Sequence, residues 1–184
     1  MPDPSDCTAC PLHQHRQQVV PGQGNPHASI MLVGEGPGAE EDRRGLPFIG
    51  PAGQRLNGIL DRAPLCRQDV YLDNVLKCRP PANDIRSCPQ AILLCPRLWL
   101  DPMIETINPR VLVALGATSG NRWFPGCDAG QMSELQRTLP SGRLVVGSFH
   151  PSHALRSGGP WNKIDDSIVA SLRRAVSLAD GGTQ

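Results

Sequence analysis

The sequence predicts an α/β fold of three layers, α/β/α, in which helices cover both faces of a small four-stranded parallel sheet. Two observations carry this. Four runs rich in Val, Ile and Leu, at residues 29–33, 70–76, 110–115 and 143–149, each close on Gly, Asn or Pro, as short buried strands do. Helical patterns lie between them, and the resulting βαβαβαβα order calls for parallel strands joined by right-handed crossovers.

The first strand runs into Gly34-Glu35-Gly36-Pro37-Gly38, a single carboxylate held among glycines. Glu40, Glu41 and Asp42 then read as the solvated start of a helix, where acids suit the dipole. Residues 52–63 place Leu56, Ile59, Leu60 and Ala63 three or four apart, giving one apolar stripe, and Pro51 sits where a first-turn proline is tolerated. The second strand carries Asn74 near its end. Residues 89–107 form another helical region that Pro96 and Pro102 should kink or split. A short helix follows Gly116, and the fourth strand ends at His150-Pro151-Ser152. The last helix, 163–178, carries Ile164, Ile168, Leu172 and Val176 at steps of four. Residues 1–6 and 179–184 read as loose tails on a single domain spanning 1–184.

A chain of 184 residues buries a core without disulfides. A formal charge of +1 neither announces nor excludes a polyanionic partner, so any basic patch must be local. No stretch approaches a membrane span and the start lacks the regions of a signal peptide, which predicts a cytoplasmic protein with no membrane partner. With three Phe, three Trp and one Tyr, an aromatic inside a motif stands out, and Phe48 is such a residue.

Two strand ends that each deliver a polar group are what an open parallel sheet uses to build a site beyond its carboxyl edge. Glu35 and His150 are those groups, with Asn74 near a third strand end. The same glycine loop also fits G-x-G-x-x-A as Gly34, Gly36 and Ala39, a dinucleotide fingerprint. Against it, the acid required about 20 residues on is missing from a strand end, and Glu35 has the wrong sign beside pyrophosphate. Seven cysteines in a reducing compartment read as metal ligands before disulfides. Cys7 and Cys10 form a C-x2-C pair that Cys78 and Cys95 complete to four thiolates, suited to zinc or to an iron-sulfur cluster. Cys66, Cys88 and Cys127 read as small buried hydrophobes.

Several linked runs share one resemblance. They are Cys7-Thr8-Ala9-Cys10-Pro11-Leu12, Val20-Pro21-Gly22 with Gly24-Asn25-Pro26, and the glycine loop through Ala39-Glu40-Glu41-Asp42. Gly45-Leu46-Pro47-Phe48-Ile49-Gly50, Asn74-Val75 with Lys77-Cys78-Arg79-Pro80-Pro81, and His150-Pro151-Ser152 with Leu155-Arg156 complete the set. In this order they closely resemble the family-4 uracil-DNA glycosylases. The resemblance implies a uracil-DNA glycosylase-like fold and a four-iron four-sulfur (4Fe-4S) cluster on Cys7, Cys10, Cys78 and Cys95.

It further implies a monomer that acts on uracil-containing DNA in base excision repair, hydrolysing the N-glycosidic bond and leaving an abasic site. By resemblance, Gly34 and Gly36 bind substrate by letting backbone and water approach the flipped nucleotide's sugar, Phe48 stacks on uracil, and Asn74 reads its polar edge. His150 donates to the oxygen where negative charge grows, and Glu35 orients water, acts as base or stabilises the sugar cation. Pro151, Ser152, Leu155 and Arg156 form the loop pressing on DNA, with Leu155 as the wedge. Arg43, Arg44, Arg55, Lys77, Arg79 and Arg156 are candidates for phosphate contact. A related branch binds uracil-DNA covalently through a histidine in a basic insert, and no such insert lies between Gly116 and Arg143. The remaining alternative is a non-catalytic iron-sulfur protein that binds or senses damage on the same fold.

Overall fold

The computed structural model describes residues 3–181. The four expected strands are present as β2 (Ile30–Gly34), β3 (Tyr71–Asn74), β4 (Val111–Leu115) and β6 (Leu144–Ser148), mutually parallel in the order β3-β2-β4-β6. The sheet is nevertheless six-stranded and mixed, which corrects the four-stranded parallel expectation. β1 (Gln23–Gly24) and β5 (Gln136–Thr138) add antiparallel edges to β3 and β6. Both edge strands are exposed and carry no apolar pattern. They exist because the neighbouring strand offers unpaired backbone groups.

Side chains alternate across the sheet, so each inner strand feeds two cores. Met31, Val33, Leu112, Ala114 and Val145 face a layer containing Leu12, Leu100, Met103 and Ile104. Ile30, Leu32, Val111, Val113 and Val146 face Leu56, Ile59 and Leu60 of α2 (Pro51–Arg62) and Ile168, Leu172 and Ala175 of α7 (Lys163–Asp180). Each such side chain contributes about 1.5–3 kcal/mol relative to leaving it in water, which is why strands buried on both faces read as continuous apolar runs.

The 89–107 region is one rod of α3 (Pro89–Cys95), a π-helical segment Pro96–Leu100 and α4 (Asp101–Ile107). Pro96 opens the wider turn and Pro102 follows it, each lacking the N–H that a continuous α-helix would use. The helix after Gly116 is α5 (Gly116–Gly120), and His150-Pro151-Ser152, read as a loop, opens the short helix α6 (Pro151–Arg156).

Two local expectations change. In α1 (Ala39–Arg44), Glu41 and Asp42 are buried and accept backbone N–H groups from other segments, so they are not a solvated helix start. At the other end, α7 continues to Asp180 with Ala179 buried, so the chain is still packed where the C-terminal tail was expected to begin. Of the two expected tails, residues 1–2 and 182–184 lie outside the described residues, while Pro4 is buried and its carbonyl accepts from Cys7 N.

Register brings the functional segments to one edge. Gly34 lies opposite Asn74 and Leu115 opposite Ser148, so the loops carrying Glu35, Gly116 and His150 leave the sheet side by side.

Candidate active site

Gly34 is where the first wall of the site is built. A Cβ there would lie 2.5 Å from Asn74 Oδ1 and 2.6 Å from Phe48 Cζ, so the absence of a side chain lets the amide and the ring meet. Phe48 holds a left-handed backbone (φ 53°), which costs a bulky residue on the order of 1–3 kcal/mol. Its surroundings enforce it. Glu41 accepts from Ile49 N (3.0 Å) and Gly50 N (2.8 Å) through one oxygen and from Gly38 N (3.1 Å) through the other, stitching the glycine loop to the Phe48 loop. Gly53 of α2 packs against the Phe48 carbonyl so closely that a Cβ would sit 1.9 Å from its oxygen.

Asn74 is fixed through its main chain. Its N–H donates to Asp73 Oδ1 (2.7 Å) and its carbonyl accepts from Lys77 Nζ (2.9 Å). Beyond it, Val75 N and Leu76 N donate to the carbonyls of Gly34 and Glu35, both at 3.0 Å, so two backbone bonds join the end of β3 to the glycine loop.

Glu35 and His150 form the second wall. Thr118 on α5 donates its hydroxyl to Glu35 Oε2 at 2.5 Å. His150 caps α6, its Nδ1 accepting from Ser152 N (3.1 Å) and lying 2.8 Å from Ser152 Oγ. A backbone N–H can only donate, so Nδ1 is the acceptor and the ring proton resides on Nε2. Burial, with a smaller contribution from the Arg156 charge, lowers the His150 pKa to about 4, which keeps the imidazole neutral near pH 7. Gly116, at φ 82°, leaves room for the imidazole, since a Cβ would lie 2.9 Å from that of His150.

Both walls line one cavity of about 510 Å³ that contains Glu35, Gly36, Phe48, Asn74, His150, Ser152 and Leu155. An adjoining space of about 340 Å³ shares Glu35, Gly36 and His150 and adds Thr118 and Arg156. The size suits a small planar ligand with a few placed polar groups. Leu155 is exposed, whereas Pro151 is buried under the helix it starts.

The six candidate cations divide. Lys77 is buried and paired with Asp73, so it cannot reach a phosphate. Arg55 spends its guanidinium on buried Asp165 and on the Gly159 and Pro160 carbonyls. Arg43 and Arg44 are exposed beside Glu40, Arg79 bonds Asn83 Oδ1, and Arg156 bonds Ser152 Oγ. Thr118, Glu41 and Asn83, which lines the cavity, were not singled out from sequence. Of these only Glu41 left a signal, an acid three residues after the Gly38 that precedes a helix.

Cys7, Cys10, Cys78 and Cys95 line a common pocket between the N-terminal arm and α3. Trp99 Nε1 donates to Cys7 Sγ (3.3 Å), Lys77 N to Cys95 Sγ (3.3 Å) and Arg16 to Cys78 Sγ (3.4 Å). Among the described residues, no three Cys, His, Asp or Glu side chains converge on a position for a single metal ion. The donor set, four thiols with N–H groups aimed at three sulfurs, fits a multi-iron cluster, whose sulfurs are tuned by such bonds. Burial pushes the Cys95 thiol up to about 12. Cys88 is buried nearby, Cys127 half-buried, and Cys66 exposed, contrary to its reading as a buried hydrophobe.

The profile of the uracil DNA glycosylase superfamily matches residues 21–168. The chain belongs to the uracil-DNA glycosylase superfamily. Within it, the chain is 40% identical over 174 residues to the type-4 uracil-DNA glycosylase of Thermotoga maritima, covering 94% of this chain and 88% of the relative. It is 46% identical over 158 residues to the type-4 uracil-DNA glycosylase of Archaeoglobus fulgidus, covering 81% and 78%. A type-5 uracil-DNA glycosylase of Thermus thermophilus is 31% identical over 180 residues, covering 87% and 80%. The matched region spans the residues of both walls of the cavity. Among the described residues, no helix is long and apolar enough to cross a membrane.

Proposed function

We propose that the protein is a monofunctional DNA glycosylase that hydrolyses the bond between uracil and deoxyribose, leaving an abasic site and an intact strand. The observation that carries this reading is the convergence of the Phe48 ring and the Asn74 amide on Gly34, in the cavity that Glu35 and His150 also line. A target base cannot be reached inside a stacked duplex, so the nucleotide is extruded into this cavity. Phe48 stacks on the uracil, with Gly34 and Gly36 admitting its approach. Asn74 donates to and accepts from its edge, and cytosine, with the reverse pattern, leaves the amide unpaired.

As the C1′–N1 bond breaks, its electron pair moves onto the base and the sugar becomes cationic. The Nε2–H of neutral His150 donates to the uracil oxygen where that charge collects. Glu35, held by Thr118, stands beside the cationic sugar, and water forms the new bond to C1′. The proton released from water passes to Glu35 or to solvent. Ser152, Leu155 and Arg156 meet the DNA on the helix that buried Pro151 opens, Leu155 entering the vacated stack, while Arg43, Arg44 and Arg79 provide cations for phosphates.

Cys7, Cys10, Cys78 and Cys95 hold a 4Fe-4S cluster, which ties the N-terminal arm to the segment after β3. The enzyme acts as a monomer in the cytoplasm, in base excision repair. Incubation with a uracil-containing oligonucleotide, followed by alkali, tests the activity: strand scission at the uracil position is expected. An intact strand from protein that shows the visible absorbance of its cluster would sink the enzymatic reading in favour of damage binding.

A further inference from the structure

Lys77 lies in the core, 3% exposed, where an ammonium is costly to place. Its ion-pair partner Asp73 is 1% exposed and leaves Oδ2 without a hydrogen-bond partner. A pair in which one carboxylate oxygen is orphaned is a poor device for stability, since a neutral pair of similar volume avoids the desolvation cost. What the pair does accomplish is positional. Asp73 Oδ1 accepts from Lys77 Nζ and from Asn74 N, and Lys77 Nζ also donates to the Asn74 carbonyl. Both backbone polar groups of Asn74 are therefore held by these two side chains. The main chain of the same lysine faces the other way: its N–H donates to Cys95 Sγ, and its carbonyl accepts from Val20 N at 2.8 Å.

We propose that Lys77 is a positioning residue that couples the four-cysteine site to base reading, its backbone anchored on Cys95 and its ammonium setting the orientation of Asn74. The coupling rests on the reading of Asn74 as the residue that meets the uracil edge. A residue one position from Cys78 and three from Asn74 is short enough to transmit order without a chain of intermediates. An amide must be aimed to discriminate between bases, and a displacement of about 1 Å in such a group costs on the order of 100-fold. The sequence motif around Cys78 thus contains a recognition element as well as a ligand.

The test is a double-mutant cycle on the cluster-containing protein. The variant D73N/K77M removes both charges, so no buried ion is stranded. N74A removes the reader, and the third protein combines the two. D73N/K77M should lower kcat/KM on a uracil oligonucleotide roughly 10- to 100-fold, mostly through KM, with visible absorbance per protein and the thermal melt preserved. On the N74A background the same exchange should change kcat/KM by less than about 2-fold, because nothing is left to aim. D73N/K77Q, which keeps a donor toward the Asn74 carbonyl, should recover most of the loss.

An equal loss on both backgrounds, or a loss that follows the visible absorbance, would overturn the coupling and leave Lys77 a residue of the cysteine site alone. A double variant that does not fold would overturn it too, in favour of stability. If N74A alone leaves kcat/KM unchanged, the base-reading role of Asn74 falls first and the coupling with it.

Discussion

The two walls of the cavity are built on opposite principles. Phe48 and Asn74 are 5% and 3% exposed and held by buried carboxylates from behind, with backbone bonds on either side. Glu35 and His150 are half-buried, joined to short helices by one or two hydroxyl and N–H contacts, and Leu155 beyond them is 38% exposed. Selection between bases differing in one edge pattern needs desolvated groups that cannot adjust. Chemistry at a sugar that arrives with its DNA, by contrast, needs groups that solvent and substrate can reach. Under the proposed function, the wall that reads the base is rigid before substrate binds, and the wall that acts on the sugar is open to it.

Removing groups from each wall should therefore produce different kinetic signatures. His150→Ala should have the largest effect, slowing single-turnover cleavage about 100- to 1,000-fold while DNA binding changes little. Unchanged single-turnover rates would remove the imidazole from the chemical step. Gly34→Ala places a methyl between the Asn74 amide and the Phe48 ring, and should lower kcat/KM roughly 10- to 100-fold, chiefly by raising KM. If KM is unaffected, the meeting of ring and amide is not what reads the base. Thr118→Val should reduce kcat about tenfold or less, as expected for one hydrogen bond to a charged group, and Thr118→Ser should restore it. Failure of Thr118→Ser to restore kcat, or a change in KM alone, would place Thr118 outside the chemical wall.

The smallest effect is thermodynamic. His150 has a folded pKa near 4 against an ordinary 6.5, so between these values the unfolded chain binds a proton that the folded protein does not. Its contribution to stability is fully present above about pH 6.5 and is lost as pH falls toward 4. Denaturant titrations of wild type and His150→Gln across that window should show a shallower pH dependence in the variant. Parallel curves would mean that the imidazole titrates near its ordinary value.

The four inner strands were legible because burial on both faces leaves an unbroken apolar run, and the stripe of α2 because Leu56, Ile59 and Leu60 share one side. The edge strands were not, since Gln23–Gly24 and Gln136–Thr138 are specified by their neighbours' unpaired backbone and not by their own side chains. Cations near motifs looked alike in sequence. Arg55 finds Asp165 at a separation of 110 residues, and Lys77 meets Asp73 only because the chain turns back after β3, so neither pairing follows from a local pattern. Glu41 and Asp42 appeared solvated because acidic runs usually are, and their backbone donors come from loops whose approach only the fold defines. In the candidate site, the residues ending strands were legible, while Thr118, reaching Glu35 across 83 residues, was not.

The docking of the N-terminal arm has a consequence for how the chain is made. Arg16 reaches Cys78 across 62 residues, and Trp99 reaches back to Cys7 across 92. Contacts of such separation close late, after the loop entropy between them has been overcome. At a synthesis rate of about 5–20 residues per second, Cys7 waits on the order of 5–18 s before Trp99 exists to receive it. Cys78 and Cys95, the other two thiols of the site, are likewise made only after the intervening sheet strands β2 and β3. Assembly of the arm is thus ordered by chain growth, its N-terminal thiols being made long before the tryptophan that meets Cys7.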